Sequence, residues 1–139
     1  MIRAVLDTNV YVAALLSAHG SPARLVGALG EGLFDAIVCP RLLDELSGVL
    51  HRPKIAARLD PTVADDFVRW LGRVAITVPD PGVVRAVPPD PDDDHIVALA
   101  LIGHAEVIVS GDAHPLGLSG ITPRILSPAA FAQFVDALR

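Results

Sequence analysis

The stretch Ile2-Arg3-Ala4-Val5-Leu6-Asp7-Thr8-Asn9-Val10 decides the fold. Its first five residues are mostly apolar and too few for a buried helix, so they read as a buried strand. Asp7, Thr8 and Asn9 then mark a turn or a helix start, where short polar side chains are favoured. Val10 to Leu16 is apolar nearly all round and begins a buried helix. His19-Gly20-Ser21-Pro22 breaks it. Ser21 is expected to cap a second helix, with Pro22 at its first position and Leu25, Val26 and Leu29 along it.

Working outward, the same alternation continues. Gly30-Glu31-Gly32 closes the second helix, Phe34 to Val38 reads as a strand, and Pro40 to Leu50 as a helix. Asp60-Pro61 opens another helix, with Val63, Phe67, Trp70 and Leu71 expected on one face. Ala75 to Val78 is a strand. Residues 79–91 hold five of the twelve prolines, so they read as an ordered loop. Asp92 to Gly103 is a helix, Val107 to Ser110 a strand ending at Gly111-Asp112, and Arg124 to Leu126 a last short strand. Ser127-Pro128 caps a terminal helix expected to bury Phe131, Phe134, Val135 and Leu138. Strands alternating with helices imply an α/β fold with a mainly parallel central sheet flanked by helices. The near-continuous apolar strands fit a sheet covered on both faces.

The length of 139 residues fits one domain, expected to span residues 1–139. Hydrophobic residues make up 52%, which excludes a disordered chain. No apolar run approaches the roughly 18–20 residues that cross a bilayer, and the first strand meets Asp7 too soon for a signal peptide. One cysteine, Cys39, excludes an internal disulfide framework and a cysteine-rich zinc site. The expectation is a cytoplasmic protein with no membrane association. Its net charge of −5, from 16 acidic and 11 basic residues, argues against a nucleic-acid partner. That objection lapses if several acids share one metal site.

Ligands of open α/β sheets bind outside the carboxyl ends of the strands, and two acids fall there. Asp7 follows the first strand and Asp112 follows the strand at 107–110. Taken singly, the first could be a helix cap and the second a turn residue. A third comes from the 40–50 helix. At about 100° per residue, Asp44 faces solvent, whereas Glu45 lies at the edge of the face carrying Leu42, Leu43, Leu46, Val49 and Leu50. The fourth comes from Asp90-Pro91-Asp92-Asp93-Asp94-His95, where four aspartates fall within five residues. One or two could favour a helix dipole; four repel one another unless something positive lies between them. Asp7, Glu45, Asp94 and Asp112 thus form a set of hard oxygen ligands suited to Mg²⁺ or Mn²⁺. Setting those four aside leaves 12 acidic against 11 basic residues, which no longer disfavours RNA.

These residues resemble the PIN domain family. Asp7-Thr8-Asn9-Val10 after a strand is similar to its opening motif, and Leu43-Asp44-Glu45-Leu46 to its second acidic motif. The run from Asp90 to Ala100 resembles the third, and Val109-Ser110-Gly111-Asp112 the fourth. The nearest group is the prokaryotic toxin-like, VapC-type ribonucleases. The resemblance implies a Mg²⁺/Mn²⁺-dependent ribonuclease, often a homodimer, inhibited by a small antitoxin protein. It implies metal ligation by Asp7, Glu45, Asp94 and Asp112, with Asn9 and Ser110 in support. Asp94 is matched by its place four residues before Ala98; Asp93 or Asp90 are alternatives. Arg41, Arg52 and Lys54 are candidates for an RNA path. Apolar faces on the 8–16 and 21–29 helices are the sequence reason to expect a homodimer.

Other strand-end chemistries fit less well. A haloacid-dehalogenase-like phosphatase needs a second acid where Asn9 stands. A response-regulator receiver needs a late lysine, and Lys54 is the only lysine. A dinucleotide site needs a glycine-rich first turn, which Asp7-Thr8-Asn9 is not. Two readings remain beside a toxin: a solitary RNA-processing nuclease, and a PIN-like module that binds RNA or protein without cutting. Without a confident histidine pair in the cluster, a metal-activated water attacking phosphorus is the expected route.

Overall fold

The computed structural model describes residues 1–82, 91–111 and 123–139, the side chains of 91–94 excepted. Five strands form one wholly parallel sheet: β1 (Arg3–Leu6), β2 (Asp35–Val38), β3 (Ile76–Thr77), β4 (Val107–Val109) and β5 (Arg124–Leu126). Their order is β3-β2-β1-β4-β5. The chain therefore builds outward from β1 on one side, then returns to place β4 on the other. The helices are α1 (Thr8–Leu16), α2 (Ser21–Gly30), α3 (Pro40–Leu50), α4 (Pro53–Ala56), α5 (Pro61–Val74), α6 (Pro91–Ile102) and α7 (Pro128–Asp136). They flank the sheet, giving a single α/β domain as expected.

The strands are apolar because both faces are covered. Ala4, Val5, Leu6, Ala36, Ile37, Val38 and Val109 are fully buried. α6 packs against β1, β2 and β4, while α1 packs on α2 and α3, and α2 on α7. Phe34 before β2 meets Phe131 of α7 edge to face, with ring centroids 5.1 Å apart, a favoured aromatic geometry. At the end of α2, Gly32 takes φ +77°. That left-handed residue lets its own N–H reach the Leu29 carbonyl and the Leu33 N–H reach that of Ala28.

Several expectations need correction. Gly20, not Ser21, is the N-cap of α2; Ser21 is already helical, and Pro22 falls one place later than expected. The four-residue α4 has no periodic pattern to announce it. Val63, Phe134 and Leu138 are 45–50% exposed. α5 buries Ala64, Phe67 and Leu71 instead, and α7 buries Phe131, Ala132 and Val135, because their contact arcs are offset from the apolar stripe. α6 is buried from Val97 to Ala100, but Leu101 and Ile102 are about half exposed. The apolar faces of α1 and α2 are spent inside the domain: Val10, Tyr11, Val12, Leu25 and Leu29 are buried. Leu15, Leu16 and Val26 on the same helices are only partly buried. The loop expected over 79–91 lies outside the described residues from 83 to 90, and Pro91 belongs to α6.

Candidate functional site

The return of the chain from β3 to β4 creates a switch point between β1 and β4, where parallel sheets open a crevice at their carboxyl ends. Asp7 sits at that crevice. Its N–H donates to the Val109 carbonyl at 2.9 Å, which carries the β1–β4 ladder one residue past the strand. Ser110 is fixed the same way from the other side, its N–H donating to the Leu126 carbonyl of β5 at 3.1 Å. Both backbones are thus held by sheet hydrogen bonds before any side chain acts.

Asp7 occupies the N-cap of α1, but its carboxylate makes no capping bond. It accepts instead from the Thr8 hydroxyl at 3.3 Å on Oδ1 and from the Ser110 hydroxyl at 3.4 Å on Oδ2. Thr8 is itself buried, at 5% exposure, the one buried polar residue among those described. Asp7 is half-buried and Asn9 exposed. The capping role that would explain Asp7 blandly is therefore absent, and two hydroxyls orient the acid instead.

Glu45 lies on the second turn of α3, which Cys39 and Pro40 launch from the end of β2. Its residue is exposed, further out than the edge of the buried face expected for it; Asp44 is exposed as expected. Glu45 still lines a shallow cleft with Cys39, Arg41, Leu42, Pro81, His95, Ile96 and Leu99. The cleft joins α3 to the first half of α6. Glu45 has no hydrogen-bond or ion-pair partner among the described residues. Burial pushes the Cys39 thiol above its ordinary value, and Asp80 adds to that, so a thiolate nucleophile is disfavoured.

The other predicted ligands are less fully placed. Asp92, Asp93 and Asp94 belong to the first turn of α6. The side chains of these three, and all of Asp90 and Asp112, lie outside the described residues. Among the described residues no three acids, histidines or cysteines gather as a metal site. Arg41, Arg52 and Lys54 are exposed, and Arg41 lines the cleft. The α3–α6 cleft itself was missed by sequence reasoning. Half-buried His95, which lines it, carried a signal in its place directly after the aspartate run.

No helix of the described residues is long and apolar enough to cross a membrane. A search of curated proteins finds no match. A family model described as PIN domain matches residues 3–114, from the first residue of β1 to just beyond β4. With that match over most of its length and a strand-end aspartate at the switch point of a parallel sheet, the chain belongs to the PIN domain family, whose members are generally nucleases and typically bind divalent metals.

Proposed function

We propose that this chain is a Mg²⁺/Mn²⁺-dependent endoribonuclease of the VapC type, the toxin of a toxin–antitoxin pair acting in the cytoplasm. The observation that carries the nuclease reading is Asp7: a carboxylate at a helix start that leaves the helix uncapped and is aligned by Thr8 and Ser110 instead. The donors fit a hard cation, since Asp7 and Glu45 offer carboxylate oxygens free of ion pairs among the described residues. Asp7, Glu45 and Asp94 would hold the principal ion, with Asp93 or Asp90 as alternatives to Asp94. Asp112 would hold a second ion or a water. Such an ion supplies a water activated near neutral pH and relief of charge on the phosphoryl oxygens.

The chain's own residues do the rest. Ser110 donates to Asp7 Oδ2 and keeps the carboxylate turned from the α1 backbone. Arg41, on the same cleft wall as Glu45, brings a permanent positive charge for a phosphodiester. His95 gives that cleft a hydrogen-bonding side chain. We take the domain as residues 1–139, because β5 pairs with β4 and α7 packs on α2 beyond the matched segment. The toxin reading adds a small antitoxin protein and a homodimer. Exposed Leu101, Ile102, Phe134 and Leu138 are among the apolar side chains available for either contact.

The test is cleavage of RNA with Mg²⁺ or Mn²⁺, stopped by EDTA, followed by end-group analysis. Attack by water leaves a 5′-phosphate and a 3′-hydroxyl; a 2′,3′-cyclic phosphate product would overturn the mechanism. Loss of cutting in Asp7→Asn and Glu45→Gln ties the activity to these acids.

A further inference from the structure

We propose that one face of α3, with the turn that follows it, is a phosphate track. Arg41, Gly48 and Arg52 would hold the backbone of a single-stranded RNA as it leaves the cleft, and Lys54 would extend the track onto α4. This rests on the ribonuclease reading above and adds which residues grip the strand.

The spacing comes first. Positions 41, 45 and 48 recur at intervals of four and three, so at about 100° per residue they fall within roughly 60° of one another. Arg52 follows past the helix end as the N-cap of α4, its N–H donating to the Val49 carbonyl at 3.1 Å. From Arg41 to Gly48 the face runs roughly 10 Å at about 1.5 Å per residue. Leu42, Leu46 and Leu50 are buried on the inner face of the same helix. Arg41 and Glu45 line the cleft, so the face that continues past Glu45 leads out of it.

Charge comes second. Arg24, Arg69 and Arg139 each pair with a carboxylate. The side chains of Arg41, Arg52 and Lys54 have no such partner among the described residues; those of Arg58, Arg73 and Arg124 also have none but lie elsewhere, after α4, on α5 and on β5. Arg41 and Glu45 stand four apart on one helix, a pairing distance, yet form no ion pair. Of the nearby acids, Asp65 is bonded to His51 at 2.8 Å and Asp80 accepts from the Arg41 N–H at 2.8 Å. Asp44 is exposed beside the track.

Gly48 is the third observation. A glycine inside a helix weakens it, and here no packing explains it: a Cβ would meet nothing within 4 Å. At Gly103, by contrast, a Cβ would come within 2.5 Å of Ile37 Cγ2. Gly27 of α2 is also open, but its neighbour Arg24 is paired with Asp136. Gly48 leaves the backbone bare between Arg41 and Arg52, neither paired with a carboxylate among the described residues, where a strand can come close.

The experiment measures binding of a labelled mixed-sequence single-stranded RNA to the full-length Asp7→Asn chain over a salt series. Arg52→Ala and Lys54→Ala should each weaken binding and lower the slope of log affinity against log salt by about 0.7. Gly48→Gln should weaken binding several-fold while raising the melting temperature, because the helix gains a better former and no clash. Arg24→Ala should leave the slope unchanged. Parental affinity and slope in the Arg52, Lys54 and Gly48 variants would overturn the track. If the unsubstituted chain still cuts RNA in that case, the nuclease reading stands without it. A chain that neither binds nor cuts RNA overturns both.

Discussion

Helices α1 and α5 both start immediately after an aspartate, and the two aspartates do opposite things. Asp60 accepts from the Thr62 N–H at 2.8 Å and caps α5. Asp7 stands at the same position before α1 and caps nothing. The contrast continues one turn along. α5 presents Ala64, Phe67 and Leu71 inward and its charges outward. α1 buries Tyr11 completely, and the Tyr11 hydroxyl has no hydrogen-bond partner among the described residues. The helices touch there, with the Tyr11 and Phe67 rings 6.1 Å apart. One helix is built for stability, and the other concedes it at two points near the crevice. Such concessions mark functional sites, because stability and activity compete for the same residues.

The largest expected effect breaks the comparison most directly. Asp7→Asn should lower RNA cleavage by orders of magnitude and leave the melting temperature unchanged or higher, since no cap is lost and like charges at the site are reduced. Asp60→Ala should do the reverse, costing about 1 kcal/mol of stability with full cleavage. Paired rate measurements and thermal melts decide it. A destabilised Asp7→Asn that still cuts would make the two aspartates equivalent.

A smaller effect is expected at Ser110. Ser110→Ala should slow cleavage by about tenfold, the scale on which residues behind a ligand act, without the total loss expected of Asp7→Asn. Equal loss in both would give Ser110 a direct role. Next comes the buried hydroxyl. Tyr11→Phe should raise unfolding free energy by about 1 kcal/mol, because it removes an unsatisfied polar group and keeps the ring. Denaturant melts read this, and a loss of stability would mean that the hydroxyl is satisfied.

The smallest effect lies far from both helix starts. Arg139 bonds Glu31 and holds its carboxyl below the ordinary value near 4.5. A lowered carboxyl stabilises the fold above its unfolded value and loses that contribution as pH falls through the folded one. Arg139→Ala should therefore narrow the stability difference between pH 7 and pH 3 slightly, without changing cleavage at neutral pH. Comparison of melts at the two pH values checks it. A larger change than that of Asp60→Ala would place more stability in this exposed pair than such pairs carry.

Much of the fold was legible because local signals agreed. Pro40 at a helix start followed by a leucine stripe defined α3 to the residue, and Ser127-Pro128 defined the start of α7. Sequence spacing cannot say how wide an arc a neighbour covers, so Val63, Phe134 and Leu138 were misplaced inside. The boundary at Ser21 failed because serine and glycine both suit an N-cap, and only backbone geometry separates them. At the site, the acids were legible as residue types at strand ends. That Asp7 declines to cap was not, because its partner Ser110 lies 103 positions away. The open face of α3 depended likewise on what fails to pack against Gly48.

The strand order also sets a schedule for synthesis. β1 leaves the ribosome first, yet its inner neighbour β4 follows about a hundred residues later, after β2 and β3 have been made. Until β4 arrives, the Asp7 N–H lacks the Val109 carbonyl and the carboxylate lacks Ser110. Long-range parallel pairing is slow to form because its loop must close before any contact rewards it. A nascent chain therefore carries Asp7 without an assembled crevice until β4 has been made and has found β1.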